Sequence, residues 1–392
     1  MNNDTYSLAS SSWDQKEVDA MQRVISSGLF SMGKEVKSFE EQFAGYFGKK
    51  YAIMANSGSS ANLLMIASLF FRQESPLKKG DEVIVPTVSW STSYLPLQQY
   101  GLKVKFVDID IHTLNFDLDA LESAVTDQTK VILAVNLLGN PNDFGRISKI
   151  IDDKDIILLE DNCESMGAEF GDKMAGSIGL MGTFSSFFSH HISTMEGGMV
   201  VTDDEELYQI MLSLRAHGWT RNLPVNNLVT GSKSENSFEE SYKFVLPGYN
   251  LRPLELSGAI GQEQLKKLPE IVKYRRLNAG KFINIVNKYP WLIPQQEIGK
   301  SSWFGFSLIV RPDSGVSREM LIQVLENHGI EYRPIVAGNF VKNPVIKYFD
   351  YLVHGELTNA NLIDSNGLFI GNHHFDLSKE LTLLKSALDE VK

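Results

Sequence analysis

Asp155-Ile156-Ile157-Leu158-Leu159-Glu160-Asp161 is an apolar run closed by two carboxylates. A short run of this kind predicts a strand buried on both faces. Three more stretches read the same way: Asp81-Glu82-Val83-Ile84-Val85-Pro86, Val104-Lys105-Phe106-Val107-Asp108 and Val131-Ile132-Leu133-Ala134-Val135. Between and before them, residues 61–71 and 119–124 carry helical spacing. Strands alternating with helices predict an α/β fold, a mostly parallel sheet flanked by helices. Ligands of such sheets sit beyond the C-terminal strand ends. Asp161, Trp90 and Ser57 each lie just past one of those ends.

From about residue 250 the texture changes. Helical patterns over 254–268 and 273–288 precede a strand-like stretch over 304–310. This predicts a large domain over 31–250 and a smaller α+β domain over 251–392, with residues 1–30 packed on the smaller one. The polar stretch 222–240 reads as a loop. With 392 residues the chain is long enough for a large core and more than one domain. A net charge of −11 argues against general nucleic-acid binding, which calls for a basic face. The single cysteine, Cys163, excludes an intramolecular disulfide and fits a reducing cytoplasm. No apolar run reads as a signal peptide or a membrane span. The expectation is a cytoplasmic enzyme.

Three motifs carry chemistry. Asn56-Ser57-Gly58-Ser59-Ser60-Ala61 places small residues before a helix, whose free N–H groups can hold a phosphate; a serine N-cap alone would read the same. Asp161 follows a buried strand, where a carboxylate either caps a helix or faces a ligand. The third is Phe184-Ser185-Ser186-Phe187-Phe188-Ser189-His190-His191-Ile192-Ser193-Thr194-Met195-Glu196-Gly197-Gly198. No lysine occurs between Lys173 and Lys233.

That third stretch resembles the cofactor-lysine motif of the sugar aminotransferases, pyridoxal-phosphate enzymes of fold type I. Their pattern is roughly F-S-F-x-x-x-K-N-x-T-x-G-E-G-G, and counting back from Glu196-Gly197-Gly198 puts His190 on the lysine. A lysine there joins the cofactor covalently. Imidazole moves protons near neutral pH but makes no such stable link. The resemblance runs from the Ser57 loop to the Arg333 region, with its motifs in the family's order. It implies an aspartate-aminotransferase-like fold with a seven-stranded sheet. It also implies a set of site residues. Gly58, Ser59 and Ser185 hold the cofactor phosphate, Trp90 stacks on the ring, and Asp161 faces the pyridine nitrogen. Asn250, in Gly248-Tyr249-Asn250-Leu251-Arg252, reaches the phosphate of a neighbouring subunit, so a homodimer is implied. His217, Arg252 and Arg333 are the substrate candidates. Glu164 departs from the family's E-D-x-A-Q/H pattern and stands near the ring. His191 takes the usual asparagine position. Cys163 reads as packing, and His373 and His374 as surface-loop residues rather than metal ligands; no acidic–histidine cluster has clear metal spacing.

Lysine-less members of this kind use pyridoxamine phosphate, held without a covalent bond and regenerated by L-glutamate. The reaction that the resemblance implies is loss of the 3-hydroxyl from GDP-4-keto-6-deoxy-D-mannose, with His190 as base and ammonia as a product. The product would supply a 3,6-dideoxy sugar such as colitose for an O-antigen. An ordinary aminotransferase would need a lysine that the matching position lacks. The iron–sulfur-assisted 3-dehydratases need several cysteines. A non-catalytic cofactor-binding homologue would have no use for Asp161, Ser185 and Asn250.

Overall fold

The computed structural model describes residues 5–391. Its central sheet takes seven strands from residues 51–202. In chain order these are β1 (Tyr51–Ala55), β2 (Glu82–Pro86), β3 (Lys103–Val107), β4 (Thr129–Val135), β5 (Ile157–Asp161), β6 (Met181–Ser185) and β7 (Gly198–Thr202). The four strands read from sequence are present within two residues of their expected ends. β2 to β6 are buried along nearly their whole length, as parallel strands covered on both faces must be. β1 and β6 each pair antiparallel with β7, and the remaining pairs are parallel.

Later strands are β8 (Leu292–Ile293), β9 (Gly305–Val310), β10 (Tyr332–Arg333), β11 (Tyr351–Val353) and β12 (Gly367–Gly371). β11 joins the large sheet, so the order is β1-β7-β6-β5-β4-β2-β3-β11. The sheet therefore has eight strands rather than the expected seven. The eighth pairs parallel with β3 and covers what would otherwise be an open edge. The other four form an antiparallel sheet in the order β8-β9-β12-β10.

Helix α1 (Gln15–Ser27) opens with an Asp14–Glu17 capping box. α2 (Lys34–Tyr46), α3 (Gly58–Ser68), α4 (Ser91–Gln99) and α5 (Glu205–Arg215) follow, and then α6 (Glu255–Val286). The two helices expected over 254–288 are one helix of 32 residues, with Pro269 inside it. Proline removes one backbone donor and costs about 3 kcal/mol in a helix interior. Leu265, Leu268, Ile271 and Val272 are buried on either side of it, in the cluster around Phe43 and Phe184. That burial outweighs the lost bond and keeps the helix continuous. Further along, Ala279, Phe282 and Val286 enter the core of the antiparallel sheet, which also takes in Tyr6. α6 therefore spans both cores. The polar 222–240 stretch is mostly exposed, with a short hairpin at 226–232 and one helical turn, Ser237–Glu240. No helix is long and apolar enough to cross a membrane, among the described residues.

Candidate active site

β1, β2, β5 and β6 all end on one side of the sheet, and their ends frame a cavity of about 640 Å³. From β1 the chain turns into α3. Ser57 caps that helix, its Oγ accepting from Ser60 N at 3.1 Å. A Cβ at residue 58 would lie 2.6 Å from Ser185 Cβ and 3.2 Å from Cys163 Sγ. Glycine therefore lets the N-terminus of α3 press against the end of β6. Ser57, Gly58, Ser59 and Ser185 line the same corner of the cavity. Ser59 Oγ donates to Thr92 Oγ1 at 3.0 Å, joining this corner to the start of α4.

Asp161 stands at the end of β5, 4% exposed. Its Oδ2 accepts from Asn62 Nδ2 at 2.8 Å and from Ser93 Oγ at 2.7 Å, and its Oδ1 from Cys163 N at 3.1 Å. Asn62 is oriented by Thr183, whose hydroxyl donates to Asn62 Oδ1 at 2.6 Å. Strand alternation sends the neighbouring Glu160 the other way. There it accepts from the backbone N–H groups of Gly176, Ile178 and Gly179 and serves the fold. Nothing in the sequence singled out Asn62, Ser93 or Thr183.

His190 sits in the loop between β6 and β7 and lines the cavity, half-buried against Phe304 at 5.1 Å and Phe187 at 6.0 Å between ring centroids. Enclosure, and then the Arg275 cation, lower its pKa to about 4. The imidazole is therefore neutral at pH 7 and able to accept a proton. His191 is fully buried and points away, with Nε2 3.1 Å from the Ser302 carbonyl. Glu164 lines the cavity and accepts from Leu138 N at 3.0 Å. Burial, reinforced by the Asp161 charge, raises it to about 7. Trp90 lies on the rim, 58% exposed. Arg333, at the end of β10, is the one cation among the described lining residues, against the carboxylates of Asp161, Glu164 and Glu196. No lysine lines the cavity, among the described residues.

Three expected site residues lie elsewhere in this chain. His217 packs on Trp219, and Asn250 and Arg252 bond to each other on the chain leading into α6. None of the three lines the cavity. Cys163 does line it, beside Gly58. His373 corrects the surface-loop reading. It is 2% exposed, with Nε2 2.8 Å from the Ser7 carbonyl and Nδ1 2.8 Å from Ser10 Oγ. It is buried because residues 7–10 fold back over the strand that precedes it. No group of three or more His, Cys, Asp or Glu side chains is placed to hold a metal ion, among the described residues.

The description "DegT/DnrJ/EryC1/StrS aminotransferase family" fits residues 11–381. A GDP-4-keto-6-deoxy-D-mannose 3-dehydratase of Escherichia coli O55:H7 is 64% identical over 98% of this chain and 99% of its own length. A crystal structure of a histidine-to-asparagine variant of GDP-4-keto-6-deoxymannose-3-dehydratase, with bound GDP-perosamine, is 64% identical. It superposes with a TM-score of 0.97 over 98% of this chain and all of its own. Another structure of such a dehydratase, with a trapped PLP-glutamate geminal diamine, matches at the same identity, TM-score and coverage.

Proposed function

We propose, for a chain that belongs to the DegT/DnrJ/EryC1/StrS aminotransferase family and carries histidine at the position of its lysine, that it dehydrates GDP-4-keto-6-deoxy-D-mannose at C-3. The cofactor is pyridoxal or pyridoxamine phosphate, held non-covalently, and L-glutamate supplies the amino group. The carrying observation is His190, at the family's lysine position, lining a cavity that, among the described residues, no lysine lines.

The residues fit that cofactor. The corner that a Cβ at residue 58 would fill is a phosphate cradle, built from the α3 N-terminus, Ser59 and Ser185. Asp161, buried and held by three donors, supplies the charge that keeps a pyridine nitrogen protonated. Trp90 covers a ring face from the rim. When bound, the cofactor supplies an amine for the C-4 ketone and a ring that accepts electrons from the adjacent carbon.

His190 takes a proton from that carbon as the neutral base. As imidazolium it returns the proton to the departing 3-hydroxyl, which leaves as water. Hydrolysis then gives ammonia and a 4-keto-3,6-dideoxy sugar, and glutamate leaves as 2-oxoglutarate. Arg333 provides a cation for the anionic substrate. With one cation against three carboxylates, the cavity of a single chain is poorly matched to a nucleotide sugar. A homodimer answers this: Asn250, Arg252 and His217 of each chain serve the cavity of the other.

Incubation with pyridoxal phosphate, L-glutamate and GDP-4-keto-6-deoxy-D-mannose tests the reading. Mass spectrometry should find a nucleotide sugar lacking one oxygen, with ammonia and 2-oxoglutarate in step. An amino sugar instead would make the chain an aminotransferase. Neither product, with cofactor bound, would refute catalysis on this sugar. His190→Lys should trap the cofactor covalently and abolish dehydration; continued product formation would remove His190 from the mechanism.

A further inference from the structure

We infer that His191 is a positioning residue: its Nε2–H, bonded to the Ser302 carbonyl, ties the loop carrying His190 to the 301–304 strap and so fixes the His190 imidazole against Phe304. The inference rests on the reading of His190 as proton carrier.

The two adjacent histidines grip one strap in different ways. His191 reaches Ser302 O at 3.1 Å and is 1% exposed. A carbonyl only accepts, so Nε2 carries the proton, and Nδ1 is left as a buried acceptor without a partner. A leucine in that space would carry no such penalty, so an imidazole here points to the bond it makes. His190 meets the same strap through the Phe304 ring.

The strap itself is rigidly held. Ser302 N donates to Gly139 O at 2.8 Å and Phe304 N to Leu138 O at 3.1 Å. Asn372 Nδ2 donates to Trp303 O at 2.8 Å and Arg275 Nη1 to Phe304 O at 2.7 Å. These bonds hold Trp303 at φ 48°, a backbone region that such a side chain seldom adopts. A strap fixed at this many points can locate a ring, and the His191 bond carries that fixity to the loop.

The charged groups facing the histidine pair are Arg275 and Arg276 of α6, and across the cavity Asp161, Glu164, Glu196 and Arg333. Burial and Arg275 keep both imidazoles neutral. Freeing the loop from the strap admits water to His190 and moves its titration up toward the ordinary range.

Three variants separate positioning from bulk. The glutamine Nε2 extends as far as the imidazole Nε2, whereas an asparagine amide ends at the reach of Nδ1. His191→Leu and His191→Asn should lower kcat for dehydration roughly ten- to a hundredfold, with KM little changed. His191→Gln should restore most of it. In parallel, NMR of labelled histidine rings should show His190 titrating higher in the Leu and Asn variants and unmoved in Gln. Equal activity in all three variants overturns the inference. So does a kcat loss that follows a lowered melting temperature while His190 titrates as in wild type. Should wild type itself make no dehydrated product, the functional reading falls, and the His190 titrations still decide the tie.

Discussion

Gly58→Ala adds one methyl group where the N-terminus of α3 presses on the end of β6. The new carbon would stand 2.6 Å from Ser185 Cβ, 3.0 Å from Ser185 Oγ and 3.2 Å from Cys163 Sγ. Carbon–carbon contacts settle at about 3.5–4.0 Å, so about 1 Å of separation must be found. Ser185 cannot supply it, because β6 is paired with β5 on one side and β7 on the other. Nor can the partner Gly198, packed against the Ser57 carbonyl. The helix must lift. A phosphate N–H bond near 2.9 Å stretched by about 1 Å is no longer a bond. Hydrogen bonds to charged groups contribute about 1.5–3 kcal/mol, so one lost bond weakens cofactor binding about ten- to a hundredfold. The overpacking itself costs about 1–3 kcal/mol of stability. Fluorescence titration with pyridoxal phosphate and with phosphate-free pyridoxal checks this. The variant should lose affinity for the phosphate ester and little for pyridoxal. Gly280→Ala is the control, a helical glycine with open space around its Cβ position; its binding should match wild type. Unchanged phosphate-ester affinity in Gly58→Ala would refute the cradle.

Asp161→Asn keeps the shape and removes the charge, so cofactor affinity should fall about ten- to a hundredfold by titration; undiminished binding and turnover would exclude the pyridine contact. Glu164 is neutral below about pH 7 and adds a negative charge beside Asp161 above it. That charge favours the protonated ring nitrogen that Asp161 faces, so cofactor affinity of wild type should rise between pH 6 and 8.5, and Glu164→Gln should remove that rise; parallel pH profiles would contradict it. His373 is lowered to about 4 by burial and then by Arg275. The unfolded chain takes up that proton first, so the stability is full above pH 6.5 and lost as pH falls toward 4. At pH 5 the loss is about 2 kcal/mol. His373→Gln keeps the reach to the Ser7 carbonyl and should flatten the pH 7-to-5 change in unfolding free energy, read by urea titration, by that amount; identical slopes would refute it.

Much of the fold was legible because buried parallel strands announce themselves. Ile157–Asp161 and Glu82–Pro86 are apolar on both faces, so no other arrangement hides them. β11 was not legible. Tyr351–Val353 is three exposed residues whose strand character comes from pairing with β3, a partner almost 250 positions away in sequence. The two helical patterns at 254–268 and 273–288 are one helix because buried side chains on both sides of Pro269 hold the segment between them in the same core.

The site divides along the same physical line. Asp161 and Ser185 end their strands and Gly58 and His190 follow within five residues of one, where chain position alone delivers them to the cavity. Asn62 and Ser93 are interior helix residues, and they matter because tertiary packing brings them to one carboxylate oxygen. A polar residue at a helical position looks the same in sequence whether it meets solvent or Asp161. His373 was misread for the same reason, since its burial is made by residues more than 360 positions earlier. The His190–His191 pair shows where the limit falls. Motif counting separates their chemical roles, one on the lysine position and one on the asparagine position. Only the strap at 301–304 explains why the second is a histidine too: it is the side chain that reaches the Ser302 carbonyl.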